Sequence, residues 1–261
     1  MTARSDERFF RGPRTRATTS EGPVDLPIHY YDVSNVVGVF RASRAGAQVL
    51  VEGAGLEPAL LRDGSAVVGL SFYEYRDTSV GVYNEVGTGV FAVRLGDRRP
   101  RLGLAELFLP PRWRASGAYV VDLPVTTAAA CAAGREIWGY PKFVTEIPFR
   151  LQGREVDASV RDPATGGRIV TLSGRMGPGV PAPPMDLVTF TTLDGALLRT
   201  HVTVRGRVTL HAPGTVRLSV GPSTHRMAAN LRTLGLEDAR PMLVVRTDRF
   251  QLLLPAGAQV A

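Results

Sequence analysis

Gly134-Arg135-Glu136-Ile137-Trp138-Gly139-Tyr140-Pro141-Lys142-Phe143 joins two different kinds of chain. Upstream, Thr127-Ala128-Ala129-Ala130-Cys131-Ala132-Ala133 is rich in the best helix former. Thr127 is placed to cap its start and Gly134 to stop it. Its small side chains suit close packing against a sheet. Downstream, Pro141 lacks a backbone donor and holds Tyr140 extended. Lys142 therefore begins an extended run to Leu151.

Lys142 is the only lysine among 31 basic residues, the other 30 being arginine. Arginine serves for ion pairs and solubility but stays protonated in proteins. A buried lysine can shed its proton and attack a carbonyl. The plain alternative is a leftover surface cation. Trp138, Tyr140 and Phe143 instead give it an apolar, aromatic setting.

Working outward, short β-rich runs separated by turn residues dominate. Strands are expected at Val33–Phe40, Ala66–Tyr75, Tyr119–Leu123, Leu187–Leu193, Leu198–Leu210, Thr215–Val220 and Leu243–Leu254. Val80–Leu95 is long enough for one bent strand or two, and Gly87 and Gly89 suggest a bulge or a close backbone approach. Asp157–Arg161, a turn at 162–167, and Arg168–Ser173 read as a hairpin. Gly55–Leu61 is expected to form a helical turn, and Gly177–Pro184 a linker. Residues 1–25 are polar and basic and read as a mobile arm. Residues 26–261 are expected to form a single domain, because either half alone would be a sheet with open edges. The fold class is thus mainly antiparallel β (β-rich α+β).

Composition excludes several classes. Hydrophobic residues make up 44% and charged residues 21%, which is globular usage. No apolar run reaches the roughly 18 residues of a membrane span. One cysteine, Cys131, cannot form an internal disulfide, so the expected compartment is the cytoplasm. The net charge is +7. Residues 1–20 hold three of those charges, and acids interleave with the rest. No basic stripe with spaced aromatics points to nucleic acid. The mild positive field suits small anionic substrates.

Other chemistry is sparse. The four histidines lack metal-ligand spacing, and no Gly-x-Ser-x-Gly elbow or nucleotide-binding glycine loop appears. Cys131 among alanines reads as a small core residue. Glu85, in Tyr83-Asn84-Glu85-Val86-Gly87, stands out as a carboxylate between apolar strand residues. It either faces a cavity or is an ordinary exposed strand carboxylate.

Two stretches carry a resemblance. Gly134–Lys142 resembles the active-site segment of the acetoacetate decarboxylase family, in which an aromatic-Pro-Lys supplies a Schiff-base lysine. Asp77-Thr78-Ser79-Val80-Gly81-Val82-Tyr83-Asn84-Glu85 resembles that family's Asp-Thr-Ser run ending in an active-site glutamate. Weaker matches extend the resemblance over about residues 30–256. It implies a cone-shaped β-barrel with a flanking sheet and a few helices, in a homo-oligomer. It makes Lys142 and Glu85 the catalytic pair. Tyr83, Trp138, Tyr140 and Phe143 are the expected substrate-binding residues, with Arg135 and Arg76 as candidate carboxylate anchors. The family's second lysine is replaced by Phe143. Its strand arginine and glutamate correspond to Val33 and Ser71.

The implied chemistry needs no metal or organic cofactor. A lysine ordinarily titrates near 10.4, and burial can lower that by about 3–5 units. The neutral amine adds to a ketone and loses water, and the iminium accepts electrons from an adjacent breaking bond. The default reading is decarboxylation of a β-keto acid, with Glu85 moving the proton. The alternatives are an aldolase, dehydratase or cyclase-type tailoring enzyme on a bulkier keto compound, or a non-catalytic ligand-binding barrel.

Overall fold

The computed structural model describes residues 8–97, 106 and 109–260 of the chain. Seven strands close a barrel. In spatial order they are β3 (Ile28–Ala42), β5 (Ala66–Thr78), β6 (Tyr83–Arg94), β7 (Gly117–Asp122), β12 (Leu187–Leu193), β13 (Ala196–Gly206) and β16 (Leu243–Leu254). β16 pairs with both β13 and β3, which closes the ring and leaves none of the seven as an edge. All these pairings are antiparallel except β7 with β12. A second sheet, in the order β15 (Arg217–Val220), β10 (Arg168–Arg175), β9 (Glu155–Arg161), β8 (Phe149–Gln152), flanks the barrel.

The two sheets explain why the front strands of the barrel bury side chains on both faces rather than alternating buried with exposed. Even-numbered residues of the front strands, such as Val36, Phe40, Leu70, Phe72 and Val86, are fully buried between barrel and flanking sheet. They meet Val160, Ile169, Leu172 and Leu218 there. The odd-numbered residues face inward, so both faces are covered. The ladder between β6 and β7 shifts register at Thr88/Gly89, where the glycines indicated an irregularity. A Cβ on Gly89 would lie 3.0 Å from that of Ala118, so the strands also approach closely there.

Among the described residues, three α-helices pack outside. α1 (Arg44–Val51) and α3 (Arg226–Thr233) were not expected, and both carry side-chain caps, Ser43 and His225. α2 (Ala128–Trp138) is capped by Thr127, whose hydroxyl accepts from the Ala130 N–H. Gly134 does not stop this helix. It runs four residues further and ends at Gly139, which is left-handed at φ 66°. An interior glycine costs only about 1 kcal/mol, and Gly134 has a packing role described below.

Other expectations need correction. Leu56–Pro58 is a short strand, β4, paired with β6 rather than a helical turn. Residues Gly179–Ala182 of the expected linker form β11, paired with β14 (Val208–His211). Leu198–Leu210 divides between β13 and β14. The extended run from Lys142 becomes a regular strand only at Phe149. The polar arm is a hairpin from Thr15, with β1 (Thr15–Thr19) paired to β2 (Gly22–Leu26). It is tied to α2 where Ser20 donates its N–H and hydroxyl to Glu136 at 2.9 and 2.5 Å. Residues 1–7 of that arm lie outside the described residues. Among the described residues, no helix is long and apolar enough to cross a membrane.

Candidate active site

A cavity of about 330 Å³ occupies the barrel. α2 closes one end, presenting Ala130, Ala133, Gly134 and Trp138 along one face at helical spacing. Gly139 then turns the chain. The Lys142 N–H donates to the Tyr140 carbonyl at 2.7 Å, closing a γ-turn about Pro141. This brings Lys142 over the barrel end beside β6, where Leu123 donates to the Pro141 carbonyl and Val125 to that of Phe143.

Lys142 Nζ lies 2.6 Å from Glu85 Oε2, and the two side chains are 6% and 10% exposed. Gly134 makes room for this contact, because a methyl group there would collide with Lys142 Cδ and Cε. The second Glu85 oxygen accepts from the Tyr75 hydroxyl at 3.0 Å. Glu85 faces Tyr73 across the ladder and Tyr83 faces Tyr75. The ring of Tyr83 lies 5.8 Å from the ammonium. Tyr30 and Tyr83 hydroxyls are 3.2 Å apart. Burial, reinforced by the Glu85 charge, holds the Tyr75 and Tyr83 hydroxyls well above the ordinary phenol range. Burial also pushes Tyr73 and Tyr140 up to about 12. These hydroxyls stay protonated near neutrality, so each can donate a hydrogen bond while remaining uncharged.

The structure brings Lys142, Glu85, Tyr83, Trp138 and Tyr140 to one cavity. Trp138 donates to the Pro255 carbonyl at 2.9 Å, and the Tyr140 hydroxyl lies 2.9 Å from that of Thr189, which fixes both rings. Three residues expected near substrate are elsewhere. Arg135 is exposed, because Gly134 faces the cavity and the next helical residue is rotated by about 100°. Arg76 spans both oxygens of Asp32, at 2.7 and 3.0 Å, and also meets Glu74 at 2.6 Å. This pairing holds the Asp32 carboxyl below its usual range. Phe143 points away from Lys142, its ring 4.4 Å from that of His225.

Residues not foreseen complete the site. Tyr75, Tyr73 and Tyr30 surround the carboxylate, and Gly134 seats the lysine. The alternation Ser71, Tyr73, Tyr75 on β5 was the available signal. Val33 is fully buried and paired with Tyr75, whereas Ser71 lines the cavity. At the opposite rim, Arg114 donates Nε to the Leu109 carbonyl at 2.6 Å and Nη1 to that of Asp186 at 2.5 Å. Among the described residues, no cluster of three or more potential metal ligands occurs.

A family model described as acetoacetate decarboxylase matches residues 12–206. No curated protein matches the chain. Several solved structures share its fold. Acetoacetate decarboxylase from Legionella pneumophila subsp. pneumophila str. Philadelphia 1 is 19% identical, with a TM-score of 0.64 over 96% of this chain and 92% of that one. An acetoacetate decarboxylase-like enzyme from Sphingomonas wittichii RW1 is 15% identical, with a TM-score of 0.64 over 91% and 94%. The enduracididine biosynthesis enzyme MppR, complexed with the condensation product of pyruvate and imidazole 4-carboxaldehyde, is 14% identical. Its TM-score is 0.62 over 89% and 88%. This fold therefore carries decarboxylases and related biosynthetic enzymes.

Proposed function

The chain belongs to the acetoacetate decarboxylase family, and on that premise we propose that it is a Schiff-base lyase with Lys142 as the amine nucleophile. The contact that carries this reading is the buried 2.6 Å hydrogen bond between Lys142 and Glu85. Glu85 takes a proton from the ammonium, and the neutral amine adds to the substrate ketone. The same carboxyl group returns the proton to the departing hydroxyl, and water leaves to give the iminium. With a β-keto acid, the bond to the carboxylate breaks and its electron pair flows into the iminium. Carbon dioxide departs and an enamine remains. A proton to its carbon, followed by hydrolysis, releases the ketone and restores the amine. Tyr75 holds Glu85 in register for these transfers.

A second reading, aldol condensation or dehydration through the same iminium, has its own support. The described cations lining the cavity are Lys142 and Arg114, and the latter is bound to backbone carbonyls at the rim. Among the described residues, a carboxylate beside the ketone thus lacks the arginine that Arg135 or Arg76 was expected to supply.

Two assays separate these readings. Decarboxylation predicts carbon dioxide release from acetoacetate or a longer β-keto acid, lost in Lys142→Arg. The second reading predicts α-deuterium exchange into a ketone, seen by NMR, without that release. A Lys142→Arg protein with full turnover in either assay overturns the Schiff-base mechanism.

A further inference from the structure

The cavity extends well past the lysine. We infer that the substrate is a keto compound with an extended uncharged apolar tail, which lies along the barrel from Lys142 toward the Arg114 rim. The inference rests on the Schiff-base reading for the position of the ketone and on the cavity for the tail.

Small residues on β5 and β6 create the room. Ser71 faces Gly87, and Gly69 faces Gly89, in register. These four positions follow Tyr73 and Glu85 directly along the inward faces of their strands, and all line the cavity. A Cβ on Gly69 would meet Phe91 at 3.6 Å and Val37 at 3.9 Å, ordinary van der Waals contact, so a larger side chain there would extend without a clash into the cavity that Gly69 lines. Gly69, Ser71 and Gly87 are half-buried although they face the barrel interior, whereas Tyr75, Tyr83 and Glu85 are buried. The room in this stretch therefore lies on the β5 side, at Gly69 and Ser71, whereas Gly87 and Gly89 stand close to Leu123 and Ala118.

The length and polarity of that stretch define the ligand. From Glu85 to Phe91 the strand advances six residues, or roughly 20 Å at about 3.3 Å each. Acetoacetate reacting at Lys142 would leave most of this length unfilled. Val37, Val39, Val204 and Val245 supply apolar walls. The Asn35 side chain in this region already accepts from the Thr247 hydroxyl. Among the described lining residues, a charge on the tail would find no counter-charge between Lys142 and the rim, and taking it from water there carries a large cost. A cavity of about 330 Å³ lies within the range of pockets that enclose drug-sized ligands.

The test uses the intact protein with Trp113→Phe. Trp113 is 62% exposed, so this change leaves Trp138, in the cavity wall, as the sole tryptophan reporter. Acetone, 2-pentanone, 2-heptanone and 2-undecanone are titrated against its fluorescence and then trapped with borohydride. Affinity should rise about fourfold per methylene through 2-heptanone. Gly69→Val, which puts methyl groups into the groove, should flatten that series while leaving acetone trapping unchanged. Gly69→Ala provides a milder version should the valine protein not fold. An affinity independent of length, or a slope that Gly69→Val leaves intact, overturns the inference. Length-dependent binding with no adduct on Lys142 would uphold the tail site and remove the Schiff-base reading instead.

Discussion

At the closed end of the barrel, Lys142 is held by a side-chain carboxylate, and Glu85 is held in turn by the Tyr75 hydroxyl. At the opposite rim, Arg114 is held by the backbone carbonyls of Leu109 and Asp186. Both cations line one cavity and both are largely buried. Carbonyls fasten a guanidinium that never loses its proton, so Arg114 works as a tie between two loops. A carboxylate can receive a proton, so the lysine end has a route from ammonium to amine. On the proposed Schiff-base reading, burial alone does not mark the reactive cation; the nature of its partner does.

Exchanging the two cation types breaks the comparison most sharply. Lys142→Arg keeps a positive charge against Glu85 but removes the amine. Turnover should fall at least about 10³-fold, measured as kcat/KM for the best keto acid. Glu85→Gln keeps the shape and removes the proton acceptor, and should cost about 10²-fold or more in kcat. Gly134→Ala tests whether the lysine's seat matters apart from the helix. The added methyl displaces Lys142 by steric contact, while alanine favours the helix by about 1 kcal/mol. A fall of about tenfold in kcat/KM with an unchanged or raised Tm is expected.

Asp122 provides a buried carboxylate without a lysine. Its side chain is fully buried, accepts from Asn230 at 2.9 Å and meets Arg226 at 3.3 Å. Burial outweighs both partners and pushes the carboxyl up to about 6. Below about pH 4, folded and unfolded states both hold the proton and the group costs nothing. Between about 4 and 6 only the folded state keeps it, so this group's contribution to stability falls as pH rises. Above 6 the loss levels off at about 2–3 kcal/mol. Asp122→Asn should remove that loss, so urea unfolding should show a gain over the parent at pH 8 that shrinks toward pH 4. The reciprocal exchange, Arg114→Lys, should cost about 1–3 kcal/mol of stability through its lost carbonyl bonds. Borohydride labelling at Lys142 should persist.

What could be read from the sequence divides along a physical line. β12 and β16 match their expected bounds residue for residue, because turn residues close them, Asp194-Gly195 after the one and Pro255 after the other. Lys142 stood out because composition isolated it, and Glu85 because a carboxylate in an apolar strand needs a partner. α1 and α3 were missed because each has eight residues and depends on tertiary contact. Met227 and Leu231 of α3, for example, are fully buried. Arg135 was offered as a substitute for the family's strand arginine, with Gly134 read as the end of the helix. With Gly134 inside the helix, the phase turns Arg135 and Glu136 to solvent. Tyr75 as the partner of Glu85 required knowing that β5 and β6 pair with Tyr73 opposite Glu85, and that register is a product of barrel closure.

The most direct test of iminium chemistry is intact mass after borohydride reduction with a β-keto acid. The sequence makes this decisive, because a reduced adduct has only Lys142 and the N-terminal amine available to it. A single adduct in the parent, absent from Lys142→Ala, is the expected result. Its mass would also show whether carbon dioxide had left before reduction. An adduct that survives in Lys142→Ala, or none with short and long β-keto acids alike, would contradict the assignment of Lys142 as the nucleophile.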